Sequence, residues 1–209
     1  MAPVQNLAYY LVLLLLWHPA AGNSRAGYQL SPQPERAAAG PAPQRLRAVY
    51  LSQVGVREAT GRNDGAQVEA YLREIGLPRG YQWCSAFCVW CFRQAGIPAP
   101  RYGRARSWFT TARLLYRQDA EQRPPELGHG NLRRRNEPRL PPRPGDLVGY
   151  RFSGSAAINH VGFLDSDWGT GPSVTTVEGN TNLAGSRAGN GVWRNIRHKR
   201  MLYAIARFP

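Results

Sequence analysis

Hydrophobic residues recur with helical spacing in the first half of the chain. Four apolar side chains share one face of a helical pattern between Gln67 and Ile75: Val68, Tyr71, Leu72 and Ile75. A glycine follows directly and ends the pattern. The spacing predicts an amphipathic helix over this segment.

Two further helices are predicted after the first. The run "WCSAFCVWCFRQAG" is apolar on nearly all sides and predicts a buried helix over Cys84–Gln94, ending before a glycine. A third helix is predicted over Ser107–Tyr116, with Ser107 as the N-cap. Trp108, Ala112 and Leu115 would lie along one face of it.

Short β-rich runs replace the helical pattern in the last third of the chain. They are separated by Gly, Asn, Ser and Asp, and they read "GDLVGYRF", "HVGFLDS", "SVTTVEGN", "GVWRNIR" and "MLYAIARF". These runs predict an antiparallel sheet. Helices followed by strands predict an α+β domain, with N-terminal helices packed on a sheet formed by the C-terminal half.

The remaining segments predict the organisation of the 209-residue chain. Residues 1–22 have a short apolar run and small residues at its end, which predict a signal peptide cleaved near Gly22. No Lys or Arg precedes the run, so an uncleaved membrane anchor is the alternative. A flexible Pro/Ala-rich linker is predicted over 23–45 and a folded domain over 46–209, interrupted by a basic loop over Asp119–Arg143.

The charge of the chain is strongly positive. Lys and Arg number 27 against 13 acidic residues, for a net charge of +14. Such a field attracts polyanions, which for a secreted or periplasmic protein are anionic wall polymers, lipopolysaccharide or acidic lipids. Nucleic acid is the competing partner, in which case the protein is a non-catalytic binding protein.

A cysteine at the start of the buried helix is the candidate nucleophile. Cys84 follows the loop-like "LPRGYQW" and would be the first residue of its helix. The positive end of a helix favours a thiolate. The unpaired N–H groups of the first turn can donate to the oxyanion that forms when an amide carbonyl is attacked.

A histidine and a carboxylate are expected beside this cysteine. Of four histidines, His160 is the best base because it opens the strand-like "HVGFL"; His129 and His198 are weaker candidates. Glu178 and Asn180 alternate on one face of the next predicted strand, so both can project toward the same site. The two strands are expected to pair, which would bring Glu178 alongside His160.

Four segments in this order resemble the CHAP family, the cysteine- and histidine-dependent amidohydrolases and peptidases of cell-wall lysis. They are "WCSAFCVWCF", "RPGDLVGY", "NHVGFL" and "TVEGNTN". The resemblance implies a papain-like fold, Cys84 as nucleophile, His160 as base, and Glu178 with Asn180 as supporting residues. It implies no metal or cofactor. The implied substrate is peptidoglycan, cut between N-acetylmuramic acid and L-alanine or within its peptides.

The other two cysteines admit different interpretations. Cys88 and Cys91 are interpreted as buried packing residues, since free cysteines behave as small apolar side chains. The spacing C-x3-C-x2-C also occurs in radical enzymes with an iron–sulfur cluster, but the predicted domain lacks their barrel pattern. A zinc site is disfavoured because cysteines along one helix cannot converge tetrahedrally.

Overall fold

The computed structural model describes residues 40–118 and 138–208. The predicted signal peptide, the predicted linker up to residue 39 and residues 119–137 of the predicted basic loop lie outside the described residues. Within the two described ranges, no helix is both long and apolar enough to cross a membrane.

Helices precede strands along the chain, which confirms the α+β prediction. The helices in the described ranges are α1 (Ala42–Ser52), α2 (Ala66–Arg73) and α3 (Cys84–Gln94), followed by a 3-10 helix at Ala105–Trp108. The strands are β1 (Leu114–Arg117), β2 (Leu147–Tyr150), β3 (His160–Leu164), β4 (Ser173–Thr181), β5 (Gly191–His198) and β6 (Ala204–Ala206), with a second 3-10 helix at Lys199–Met201.

The strands form one antiparallel sheet in the order β1-β6-β2-β3-β4-β5. Strands β2 to β6 fall on the five β-rich runs of the sequence, as predicted, with β4 and β5 each extending one residue past the end of its run. Helix α3 has the predicted bounds, and α2 lies within one or two residues of its predicted bounds. Helix α1 begins at Ala42, inside the last residues of the predicted linker 23–45.

The predicted third helix over Ser107–Tyr116 is wrong. Its first residues belong to the 3-10 helix, and its last residues form strand β1. The C-terminal strand explains the difference, because β6 pairs with β1 and places Leu114 opposite Ala206. Pairing with a strand about 90 residues away outweighs a local helical pattern of modest propensity.

The main core lies between the helices and one face of the sheet. Phe163 of β3 is fully buried at its centre. Its ring stacks on Tyr50 of α1 at 4.9 Å between centroids, and it meets the edges of Phe87 and Phe92 of α3 at 5.9 and 5.6 Å. These contacts fix α3 over the middle of the sheet.

Strand β4 allows a close approach of α3 at Gly179. A methyl group at this position would lie 2.7 Å from Cζ3 of Trp83 and 2.8 Å from Cβ of Phe87. Both distances are shorter than packed atoms accept, so the helix would have to move away from the sheet. The start of α3 therefore depends on the absence of a side chain at Gly179.

We predict that Gly179→Ala lowers the free energy of unfolding by about 1–3 kcal/mol, because the added methyl overpacks the contact between α3 and β4. Urea denaturation followed by circular dichroism measures the change. Gly171→Ala is the matched control, since a methyl there meets nothing within 4 Å. Equal stability of the two variants would show that α3 does not rest on Gly179.

Candidate active site

Cys84 is the first residue of α3 and is buried, with 6% of the residue exposed. Within the described chain, the N-cap residue Trp83 makes no capping hydrogen bond with its side chain. The first-turn N–H groups of α3 are therefore not capped by a side chain. The thiol lies at this end of the helix, where the helix dipole is positive.

His160 is the first residue of β3 and is fully buried. The predicted pairing of its strand with that of Glu178 is confirmed, since Phe163 lies opposite Val177. His160 Nε2 lies 2.9 Å from Oε2 of Glu178. An ionised carboxylate only accepts hydrogen bonds, so Nε2 carries a proton and donates it.

The other ring nitrogen of His160 is left for the thiol. Nδ1 makes no hydrogen bond of ordinary geometry with any residue in the described ranges. The Cys84 thiol lies close enough to interact electrostatically with the ring. The imidazole therefore uses one nitrogen for Glu178 and presents the other toward Cys84.

The ionisation of Cys84 and His160 is coupled. Burial alone would raise the pKa of the Cys84 thiol, but the neighbouring His160 outweighs burial and lowers it, helped by the backbone N–H groups of Val161 and Ser85. Burial alone would lower the pKa of His160, but Cys84 and Glu178 raise it to about 9. Both shifts favour a thiolate beside an imidazolium.

Glu178 is fully buried and receives hydrogen bonds on both oxygens. Arg197 donates from Nε to Oε1 at 2.7 Å and from Nη2 to Oε2 at 2.6 Å. The hydroxyls of Tyr150 and Thr176 donate to Oε1 at 3.1 and 2.6 Å. Burial would raise the pKa of Glu178, but His160 and Arg197 lower it to about 2, so the carboxylate is ionised at neutral pH.

Asn180 contacts the start of α3. A β-bulge follows Glu178, and Asn180 adopts a φ of 58°, a left-handed conformation that asparagine tolerates. Its Oδ1 accepts the backbone N–H of Trp83 at 3.1 Å, and its Nδ2 donates to Oδ1 of Asn63 at 3.0 Å. The structure thus brings Cys84, His160 and Glu178 together and places Asn180 beneath the nucleophile's helix.

Arg197 is a site residue that sequence reasoning missed. The sequence suggested only a basic run around His198. Alternation on β5 gave no usable signal, because the apolar Ile196 is 81% exposed while Arg197 beside it is 3% exposed. The only available clue was chemical: a buried Glu178 requires a buried positive partner.

Among the described residues, the remaining histidine and the other two cysteines do not join this site. His129 lies outside the described residues, and Nδ1 of His198 accepts the backbone N–H of Arg200. Cys88 and Cys91 are free, fully buried members of the main core. Burial raises the pKa of both thiols well above the ordinary value, so they are neither accessible nor activated.

An open cleft of about 350 Å³ leads to Cys84. Residues 103–106, which include the first turn of the 3-10 helix, form one wall, and residues 157–159, just before β3, form a second wall. Gln82 lies at the rim, where its Oε1 accepts a hydrogen bond from Nη1 of Arg187 at 3.1 Å. The cleft is large enough to admit part of a peptide.

Many hydrolases that act on amides have a thiol at a helix start, with an imidazole beside the thiol and a carboxylate beside the imidazole. The CHAP domain model matches residues 76–180, half of the chain. The chain therefore belongs to the CHAP family, a family of amidases and peptidases that act on peptidoglycan. No curated protein and no solved structure matches the chain.

We predict that iodoacetamide alkylates Cys84 rapidly at pH values below the ordinary thiol range. Because the pKa of Cys84 is lowered, its thiolate remains until the pH falls below that lowered pKa. Peptide mass spectrometry after timed labelling at pH 6 to 9 measures the rate at each cysteine. His160→Ala should abolish the fast labelling at low pH.

The two core cysteines provide the internal control for this labelling. Cys88 and Cys91 should react only after the protein is unfolded, because both are fully buried. Labelling of all three thiols at similar rates, rising together with pH as in a free thiol, would contradict an activated Cys84.

Proposed function

We propose that this protein is an exported peptidoglycan hydrolase that cleaves an amide bond with Cys84 as its nucleophile. His160 acts as the base, and Glu178 orients the imidazole. One observation carries the proposal: these three side chains form a continuous buried chain at the start of α3, with the cleft opening onto the thiol. A helix-borne thiol facing a strand-borne histidine also supports a papain-like version of the α+β fold.

The reaction follows from the ionisation of the site. The Cys84 thiolate attacks the carbonyl carbon, and the first-turn amides of α3 stabilise the oxyanion. The proton on Nδ1 of the His160 imidazolium passes to the leaving amine, so that a thioester remains on the enzyme. Water then attacks the thioester, Nδ1 takes its proton, and the acid product and the thiolate are released.

Asn180 supports this reaction by fixing the helix. Its side chain holds the backbone N–H of Trp83, the residue before the nucleophile. Rotation of α3 away from β4 would move both the thiol and the oxyanion donors. The orienting role at the histidine therefore falls to Glu178, and Asn180 positions the cysteine.

The substrate is an amide bond of peptidoglycan. The proposal covers two reactions, cleavage between N-acetylmuramic acid and L-alanine and cleavage within the peptides. We propose that residues 1–22 direct export. The chain has a net charge of +14, and we propose that its basic surface retains the enzyme on anionic wall polymers.

We predict that Cys84→Ala lowers the rate of peptidoglycan hydrolysis by at least about 10³-fold, because no other group in the site can form the acyl-enzyme. Mass spectrometry of digested peptidoglycan measures the loss and identifies the bond. New N-terminal L-alanine indicates an amidase, and a different new peptide terminus indicates an endopeptidase.

Cys88→Ala is the matched control for this test, since it removes a buried thiol one turn along the same helix. It should retain hydrolysis. If the wild-type protein binds peptidoglycan without releasing any product, it is a basic binding protein and the proposed function is wrong.

We predict that Glu178→Gln moves the alkaline limb of the pH–rate profile to lower pH. The wild-type enzyme needs the imidazolium, so kcat/KM should hold up to about pH 9 and fall above it as His160 loses its proton. Without the negative charge of Glu178 the pKa of His160 drops, and kcat/KM at neutral pH falls by about 10²-fold.

Thr176→Val separates the charge of Glu178 from its hydrogen bonds. This variant removes one hydrogen bond to Glu178 but keeps the carboxylate's charge. Its alkaline limb should stay near that of the wild type. An unchanged alkaline limb in Glu178→Gln, with a normal melting temperature, would show that Glu178 does not control the ionisation of His160.

A further inference from the structure

Two arginines line the cleft beside Cys84. Arg104 and Arg106 are both exposed and both border the cleft. Neither guanidinium forms an ion pair with any residue in 40–118 or 138–208. No acidic residue of those ranges lines the cleft, so its charge is positive.

The wall that carries the arginines is fixed to the nucleophile's helix. Ser85, the residue after Cys84, donates its hydroxyl to the backbone carbonyl of Tyr102 at 2.6 Å. The same hydroxyl accepts a hydrogen bond from Nε1 of Trp108 at 2.7 Å. Trp108 is fully buried and stacks on Phe92 of α3 at 5.7 Å between ring centroids. Residues 102–108 are therefore held in place on both sides of the two arginines.

Several arginines of the described residues hold buried carboxylates. The pairs with the most buried acids are Arg197 with Glu178, Arg207 with Asp146, and Arg47 and Arg194 with Asp165. Arg104 and Arg106 differ from all of these. They also take no part in lowering the pKa of Cys84, which results from His160 and the backbone N–H groups of Val161 and Ser85.

The second wall of the cleft offers no competing charge. Ala157 and Ile158 are apolar, and the side chain of Asn159 is occupied by the backbone of Phe152. Its Oδ1 accepts the N–H of Phe152 at 2.9 Å and its Nδ2 donates to the carbonyl at 3.0 Å. A ligand in the cleft thus meets a cationic wall on one side and a largely apolar wall on the other.

We propose that Arg104 and Arg106 form a carboxylate-binding subsite, through which the enzyme selects peptides with a free carboxylate close to the scissile amide. A guanidinium binds a carboxylate with two parallel hydrogen bonds, so a free acid is recognised and a carboxamide is not. The inference rests on the proposed function for its substrate, a wall peptide. Amidation of the peptide's carboxylates therefore protects the peptide from this enzyme.

Binding tests the subsite without requiring catalysis. The probe is a disaccharide-pentapeptide muropeptide with its carboxylates either free or converted to primary carboxamides. Isothermal titration calorimetry with the Cys84→Ala protein should show tighter binding of the free acid by about ten-fold. Adding Arg104→Gln and Arg106→Gln should remove this preference and leave the binding of the amidated probe unchanged.

Lys199→Gln with Arg200→Gln is the control for net charge. It removes the same two positive charges from residues that do not line the cleft. This control should keep the preference for the free acid. Loss of the preference in the control as well, or equal binding of both probes to Cys84→Ala, would overturn the subsite, and so would the absence of binding to either probe.

Kinetics with active enzyme then distinguishes the subsite from the proposed function. On the free-acid muropeptide, Arg104→Gln with Arg106→Gln should raise KM by about ten-fold with little change in kcat, since the arginines bind and do not react. Equal losses on the free-acid and amidated probes would overturn the subsite. Failure of the wild type to cleave either probe and also cross-linked peptidoglycan, with the binding preference intact, would refute the hydrolase function and leave the subsite standing.

Discussion

The site depends on one carboxylate that remains ionised without solvent. Removing the charge of Glu178 from water costs several kcal/mol unless its partners replace the lost hydration. Four side chains do so: the fork of Arg197, the hydroxyls of Tyr150 and Thr176, and the ring of His160. These partners come from β2, β3, β4 and β5, so the sheet must be assembled before the carboxylate can be buried.

The partners of Glu178 also set the strength of the base. The buried charges alternate in sign from the Cys84 thiolate through His160 and Glu178 to Arg197, and each is offset by its neighbour. Arg197 shares the carboxylate with His160 through two short hydrogen bonds. The imidazolium is therefore stabilised, with a pKa of about 9, but it can still release its proton to a leaving amine.

Local patterns were sufficient to predict α3, the strand that opens with His160 and the pairing that delivers Glu178. Each of these depends on periodicity or on a short connection. Arg197 was not predictable from pattern, because its burial is set by a charge on the neighbouring strand and not by the alternation of β5. Glu178 and Asn180 were expected to project toward one site. In the structure a bulge follows Glu178, and Asn180 accepts the backbone N–H of Trp83 at the start of α3.

The chain between Trp108 and Leu115 shows why the predicted helix over Ser107–Tyr116 does not form. Trp108 and Leu115 are seven residues apart and would share one face of a helix. In the structure Trp108 lies in the main core, and Leu115 belongs to the smaller cluster that includes Ile205 of β6. The chain must pass from one cluster to the other between them, which a continuous helix cannot do. The same irregular path begins at the wall that holds Arg104 and Arg106, so the helical period is lost where the cleft is built.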